Sequence, residues 1–288
     1  MKYALLLSFV IFSSLCTIPN IPGLPTSLPV SQASLGFQVT SDPDLLLAMN
    51  ATPSQVQSGR TLVLDFEIKN NENVDLKDFN IFAYDQCLFS GESTWTPTDG
   101  TLRRNEVRFF TFKWTAQSVD FIRECNLKFR TQYTANTTVE QDVIAFKESE
   151  IIRYEQLGLL SSITPNVYAR TSPLAIKINF SKPQPLTDQD TVFMYIDYEN
   201  VGDGLVDIQS ITITLPTNLI FNSCNDYVKT SNDTITLNKK INFIKNTGSQ
   251  STCSFTVNAT KAQDTQFLSL IAMYKYMLDN SIIVKILR

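Results

Sequence analysis

Apolar and polar residues alternate along most of this chain with the period of two that strands require. From Thr61 to Lys69, Leu62, Leu64, Phe66 and Ile68 share one face, and Val63, Asp65, Glu67 and Lys69 share the other. Val192, Met194, Ile196 and Tyr198 repeat the pattern between Thr191 and Glu199. Further strands are predicted over Leu45–Met49, Leu76–Cys87, Val107–Trp114, Cys125–Tyr133 and Thr138–Phe146. Ala175–Phe180, Leu205–Leu215, Cys253–Ala259, Leu268–Tyr276 and Ile282–Leu287 complete the set. Clusters of Pro, Gly and Asn punctuate them, at Pro53–Gly59, Asn70–Asn73, Pro183/Pro185 and Asn200–Gly204. One stretch has helical spacing instead. Ile151, Ile152, Tyr154, Leu157 and Leu160 predict a short helix within Ser149–Leu160, its apolar side packed between two domains.

The alternating strands belong to a repeat. At a step of 130 positions Pro53 meets Pro183, Thr61 meets Thr191 and Asn70 meets Asn200. Cys253–Ala259 also matches Phe110–Ala116 in spacing. A copied block of strands predicts tandem β-domains. The expected fold is all-β: two tandem antiparallel β-sandwiches after a signal peptide and a Pro-rich tether. The expected boundaries are 1–16 for the signal, 17–36 for the tether and 37–146 for the first sandwich. A connector with the short helix follows at 147–173, and the second sandwich at 174–288.

A Pro turn, a Gly or Asp turn, a long alternating strand and a closing Asn run from Pro53 through Asn70, and again from Pro183 through Asn200. This order resembles the cell-adhesion-related, immunoglobulin-like (CARDB-like) domains of archaeal and bacterial surface proteins. The resemblance implies that both sandwiches are immunoglobulin-like and that the protein sits at a prokaryotic, above all an archaeal, cell surface. It is not the antibody type, because Trp114 falls on a late strand and the Cys-Trp-Cys arrangement is absent.

The 288 residues suffice for two cores, and 43% apolar content is that of a folded protein. Charged residues make up 18% with a net −4, and the basic ones are scattered, so no nucleic-acid partner is expected. The chain has no His, which excludes Ser-His and Cys-His catalysis and imidazole-held zinc. Carboxylates remain as candidate chemistry: Asp42 with Asp44, Asp188 with Asp190, and Asp197, Glu199, Asp203 and Asp207. Such groups supply calcium ligands, but none has the spacing of a calcium loop. Nothing sets two of them apart as a glycoside-cleaving pair. No metal, cofactor or catalytic residue is expected.

Lys2, the apolar run Ala4–Leu15 and the Pro-rich stretch after Cys16 have the layout of an export signal. The run falls short of the roughly 20 apolar residues that span a bilayer. Cys16 followed by Thr17–Pro25 resembles a prokaryotic lipoprotein, with Cys16 as lipid anchor and a stiff tether behind it. Leu15 stands where that motif has a small residue. A second reading therefore keeps Cys16 inside a signal cut further on, near Ala33. Either way the protein is expected to be exported to the extracellular face of the envelope.

Cys87 and Cys125 fall in the first repeat, and Cys224 and Cys253 in the second. In an oxidising compartment this predicts one disulfide per domain, against the alternative of four buried thiols. Five sequons offer candidate glycan acceptors at Asn50, Asn136, Asn179, Asn232 and Asn258. Phe193 and Tyr195 lie on the face opposite Met194 and Ile196 and are candidate interface residues. The expected function is that of a non-enzymatic envelope or extracellular protein serving adhesion, surface-layer support or assembly. It would meet a protein or glycan partner at the cell surface through sheet faces or edge strands. The alternatives are a carbohydrate-binding module, a weak hydrolase, or an accessory subunit of a secretion or appendage system.

Overall fold

The computed structural model describes residues 36–41, 45–72, 74–169 and 173–288. The signal, Cys16, the tether up to residue 35, Asp42 and Asp44 lie outside them. The first repeat supplies β1 (Phe37–Ser41), β2 (Leu45–Thr52), β3 (Gln55–Gln57), β4 (Thr61–Asn70), β5 (Lys77–Asp85), β6 (Phe89–Gly91), β7 (Thr94–Trp95), β8 (Val107–Ala116) and β9 (Arg123–Phe146). Helix α1 (Glu148–Gln156) and a 3-10 turn (Leu160–Ser162) follow. The second repeat region supplies β10 (Val167–Ala169), β11 (Leu174–Phe180), β12 (Leu186–Thr187), β13 (Thr191–Asn200), β14 (Leu205–Thr214), β15 (Leu219–Cys224), β16 (Tyr227–Lys229), β17 (Thr234–Leu237), β18 (Ile241–Phe243), β19 (Gly248–Val257) and β20 (Gln263–Leu287).

Three sheets result. One has the order β1-β2-β4-β8-β6 and another β11-β13-β19-β15. The third runs β16-β17-β14-β20-β9-β5-β7 and serves both halves of the molecule. Its spine is the antiparallel pair β9 and β20, in register from Phe146↔Gln263 to Arg123↔Ile286. The sequence predicts breaks between Tyr133 and Thr138 and between Tyr276 and Ile282. Both are absent, and each expected pair of strands is one strand of 24 or 25 residues. The polar residues in those gaps do not turn the chain because their backbone groups pair with the opposite long strand, and Ala135, Thr137 and Leu278 keep the inward alternation.

The long strands also exchange partners. β3 runs parallel to the end of β20 with Val56↔Ile286, and β12 runs parallel to the end of β9 with Leu186↔Ala145. Val56 and Leu186 are counterparts in the repeat. The end of β20 therefore lies against the first repeat just as the end of β9 lies against the second. The exchange is symmetric about the pair Thr134↔Lys275. Register also corrects the late alignment. Thr61 pairs with Thr115 and Thr191 with Thr256, so Trp114 corresponds to Phe255, two residues away from the match that spacing suggested.

In the first half Phe66, Phe112 and Trp114 close on Phe129 of β9, with ring centres at 5.2, 6.4 and 5.7 Å. Leu278, Ile282, Val284 and Ile286 of β20 are buried in the same layer. In the second, Thr137 of β9 donates its hydroxyl to the Leu174 carbonyl at 3.2 Å. Tyr133 and Tyr276 meet at the junction, 5.4 Å apart, and the buried apolar residues form one continuous cluster. Cys87 is bonded to Cys125 and Cys224 to Cys253, closing 38 and 29 residues. Loops of that size contribute about 4 kcal/mol each in the chain-entropy treatment.

A buried Asn ends β4 and its counterpart ends β13. Asn70 Nδ2 donates to the carbonyls of Val74, Leu102 and Arg103 at 2.8, 3.1 and 3.0 Å, and its Oδ1 accepts from Glu72 N–H at 2.9 Å. Asn200 donates to Gly204 and Phe243 at 2.7 and 3.2 Å and accepts from Gly202 N–H at 3.1 Å. Each side chain ties a turn to a distant segment by hydrogen-bonding backbone groups of both.

Helix α1 is shorter than predicted, and none of its residues is buried. Ile152 and Leu157 stay exposed, while Tyr154 contacts Phe146 at 5.3 Å and accepts from Gln263 at 2.9 Å. The connector does not pack between the sandwiches because β9 and β20 fill that space themselves.

Inside the second half the hydroxyls of Tyr198 and Tyr227 are hydrogen-bonded to each other. Burial pushes Tyr198 up from 10.0 to about 12 and moves Tyr227 in the same direction. Below the unfolded value both states hold the proton and the contribution to stability is complete. Above it the unfolded chain ionises first, so stability falls as pH rises from 10.0 through about 12. Urea midpoints followed upward from neutral pH should drop in that window, and Tyr227→Phe should make the drop shallower.

Candidate functional site: the outer faces of the sheets

The alternation that buries one side of each strand leaves three broad outer faces. Phe193 and Tyr195 lie on the outer face of the four-stranded sheet, Phe193 45% exposed and Tyr195 half-buried. Their cross-strand neighbours are polar: Ser254 and Thr252 on β19 and Asn179 on β11. Asn50, Asn136, Asn179 and Asn232 are exposed, whereas Asn258 is half-buried.

Among the described residues the candidate aspartates are dispersed, each with a partner of its own. Asp188 is held by Lys147 at 2.7 Å and by Ala259 N–H at 2.8 Å, and the Lys147 hydrogen bond lowers its pKa. Asp190 pairs with Lys182, Asp203 with Lys245, and Asp197 accepts from Gln250. Among the described residues no group of three or more His, Cys, Asp or Glu could hold a metal ion. An open cleft of about 400 Å³ contains Arg130, Asp279, Asp203 and Lys245. Its charges are matched in pairs, with Arg130 bidentate on Asp279 at 2.6 and 2.8 Å.

A third face escaped the sequence reading. On β20, Phe267, Ile271 and Met273 point outward from the shared sheet, 69%, 45% and 48% exposed. The two-fold exchange gives this stripe an internal control. The corresponding positions on β9 are Asn126, Arg130 and Gln132, all polar. The same scaffold thus carries a polar face in one half and an apolar face in the other. A signal was present in the sequence, since Phe267–Leu278 is apolar at both phases of the alternation. A strand of that kind is expected to be covered on both sides.

No protein-family model and no curated protein matches this sequence. Among solved structures, the chain is similar to the secreted serine protease VesC from Vibrio cholerae, with a TM-score of 0.22 and 11% identity over 84% of this chain and 51% of that one. The yeast delta-COP-I mu-homology domain complexed with Dsl1 WxWxV peptide gives 0.21 and 12% over 77% and 78%. Escherichia coli alpha-2-macroglobulin activated by porcine elastase gives 0.24 and 8% over 83% and 33%. The chain spans about half of the VesC chain and a third of the macroglobulin. Likeness at this level transfers no activity and no partner.

The fold itself defines the class: an all-β, sandwich-like protein of mainly antiparallel sheets. Its two disulfides fit an extracellular setting, and among the described residues no helix is long and apolar enough to cross a membrane.

Proposed function

We propose that the two halves are immunoglobulin-like sandwiches of an exported, non-enzymatic protein that serves adhesion or assembly at the cell envelope. Its partner is a protein, and the docking surface is the stripe of Phe267, Ile271 and Met273. The carrying observation is the contrast between the halves. Asn126, Arg130 and Gln132 satisfy the same scaffold positions, so the fold itself does not require apolar residues there. Exposed apolar side chains on one strand face, where the counterpart strand of the same scaffold is polar, point to an interaction site. The dispersed, individually partnered carboxylates and the absence of His support a binding role over hydrolysis.

The test transplants the polar face. Phe267→Asn, Ile271→Arg and Met273→Gln together install the residues that the counterpart strand already tolerates. The purified full chain, labelled and titrated on cells of its source by flow cytometry, should bind saturably. The triple variant should keep the wild-type unfolding midpoint and weaken binding at least about tenfold, the equivalent of one buried side chain lost. Unchanged binding by a folded triple variant would overturn the assignment of this face.

A further inference from the structure

Register reveals an echo that the sequence conceals. Asn50 on β2 pairs with Asp65, and Asn179 on β11 pairs with Tyr195. Asp65 and Tyr195 are counterparts at the 130-residue step, so Asn50 and Asn179 hold the same position in the two sandwiches although they lie 129 residues apart. A one-residue difference before the following Pro turn hides the match. The hydroxyl residues coincide as well. Thr52 pairs with Val63, and Ser181 N–H donates to the carbonyl of Phe193, the counterpart of Val63, at 2.8 Å. We propose that Asn50 and Asn179 are a matched pair of N-glycan acceptors, one on the outer face of each sandwich.

The packing of the strands does not account for this echo. Leu45, Leu47 and Met49 of β2 and Leu174, Ile176 and Ile178 of β11 face inward and must be apolar. At the alternate positions Leu46 corresponds to Ala175, which is buried, and Ala48 to exposed Lys177, while Asn50 and Asn179 are identical. A shared structural duty is also absent. Asn50 Nδ2 donates to Thr52 Oγ1 at 3.3 Å, whereas Asn179 Nδ2 donates to Asp197 Oδ2 at 3.3 Å, both at the exposed surface. What the two positions have in common is the acceptor triplet itself, Asn-Ala-Thr and Asn-Phe-Ser. Neither Asn136 nor half-buried Asn258 has such an echo, since they correspond to Met277 and Gln117. Each paired Asn also faces an aromatic ring across the strand, Phe37 beside Asn50 and Tyr195 beside Asn179. Phe37 is 49% exposed and offers the first sugar an apolar floor.

The reaction draws on a lipid-phosphate-linked sugar donor of the export pathway. The Asn Nδ2 forms a bond to the anomeric carbon of the donor, whose bond to the phosphate oxygen breaks. The lipid phosphate leaves with the electron pair, and one amide proton passes to a base of the transferase.

This inference shares only export with the partner surface above, and its readout is chemical occupancy rather than binding. The full chain is secreted from a eukaryotic host that glycosylates Asn-X-Ser/Thr, treated with a glycan-releasing amidase, and mapped by peptide mass spectrometry. That treatment converts each occupied Asn to Asp. Conversion at both 50 and 179 in most molecules is expected, with Thr52→Ala abolishing it at 50 alone and Ser181→Ala at 179 alone. Failure of either Asn to convert in the secreted, folded chain overturns the pairing. The triple variant of the β20 stripe should retain both glycans, so failure of one proposal is readable apart from failure of the other.

Discussion

Expressed separately, residues 33–156 and 157–288 will not fold as monomers, and mixing them from denaturant will restore one folded complex. The first fragment lacks Leu278, Ile282, Val284 and Ile286, which β20 places in its core at 0–2% exposure. Four aliphatic side chains at about 1.5–3 kcal/mol each amount to roughly 6–12 kcal/mol. Domains of this size have only about 5–15 kcal/mol in total. The fragment also carries residues 134–146 as a strand without the β20 partner and with Val139 and Val143 uncovered, an invitation to aggregate. The second fragment has the mirrored defect. Circular dichroism and sedimentation of each fragment, alone and mixed, decide the matter. A cooperative, monomeric transition from either fragment alone would show that the exchange is not needed for folding.

The second large effect is expected at the paired Asn hubs. Asn70→Ala removes four hydrogen bonds made by a side chain of 0% exposure. The Leu102 and Arg103 carbonyls keep the N–H groups of Leu76 and Glu106, whereas the Val74 carbonyl and the Glu72 N–H lose this partner. The change should cost about 2–4 kcal/mol. Asn200→Ala should cost a similar amount from the other sandwich. Asn70→Asp should be worse, because it points a carboxylate at the same carbonyls without water. The exposed neighbour Asn71→Ala should stay within about 0.5 kcal/mol. Urea denaturation followed by the fluorescence of buried Trp114 measures all four. If that transition coincides with the one seen by circular dichroism in each variant, the shared spine also makes the two halves one cooperative unit.

Much of this was legible in the chain. The alternation of Leu62, Leu64, Phe66 and Ile68 and its echo from Val192 to Tyr198 specify half-buried strands, because side chains on successive residues point to opposite faces. The closing residues Asn70 and Asn200 are visible as identical partners, although only the folded molecule shows them reaching four and three backbone groups. The cysteines fall two to a repeat, and the structure joins them that way. The candidate sites were harder to read. Phe193 and Tyr195 stand out as apolar residues on a polar phase, but Phe267, Ile271 and Met273 sit in a run apolar at both phases, which a sequence cannot divide between core and surface. The match of Asn50 with Asn179 was hidden by one residue of slippage, which only cross-strand register removes.

By itself, then, the sequence determined the predominance of strands, the duplicated strand order and the inward residues of the cleanly alternating strands, because those follow from local periodicity and from the turn residues between. The tertiary structure alone decided that Thr134–Thr137 and Met277–Ser281 continue as strand, that the ends of β9 and β20 trade places, and which surfaces of the two copies correspond. Polar residues such as Asn136 and Asp279 favour turns only while their backbone groups lack partners. Here each meets the opposite long strand, more than 100 residues away in sequence, and that pairing outweighs the local preference.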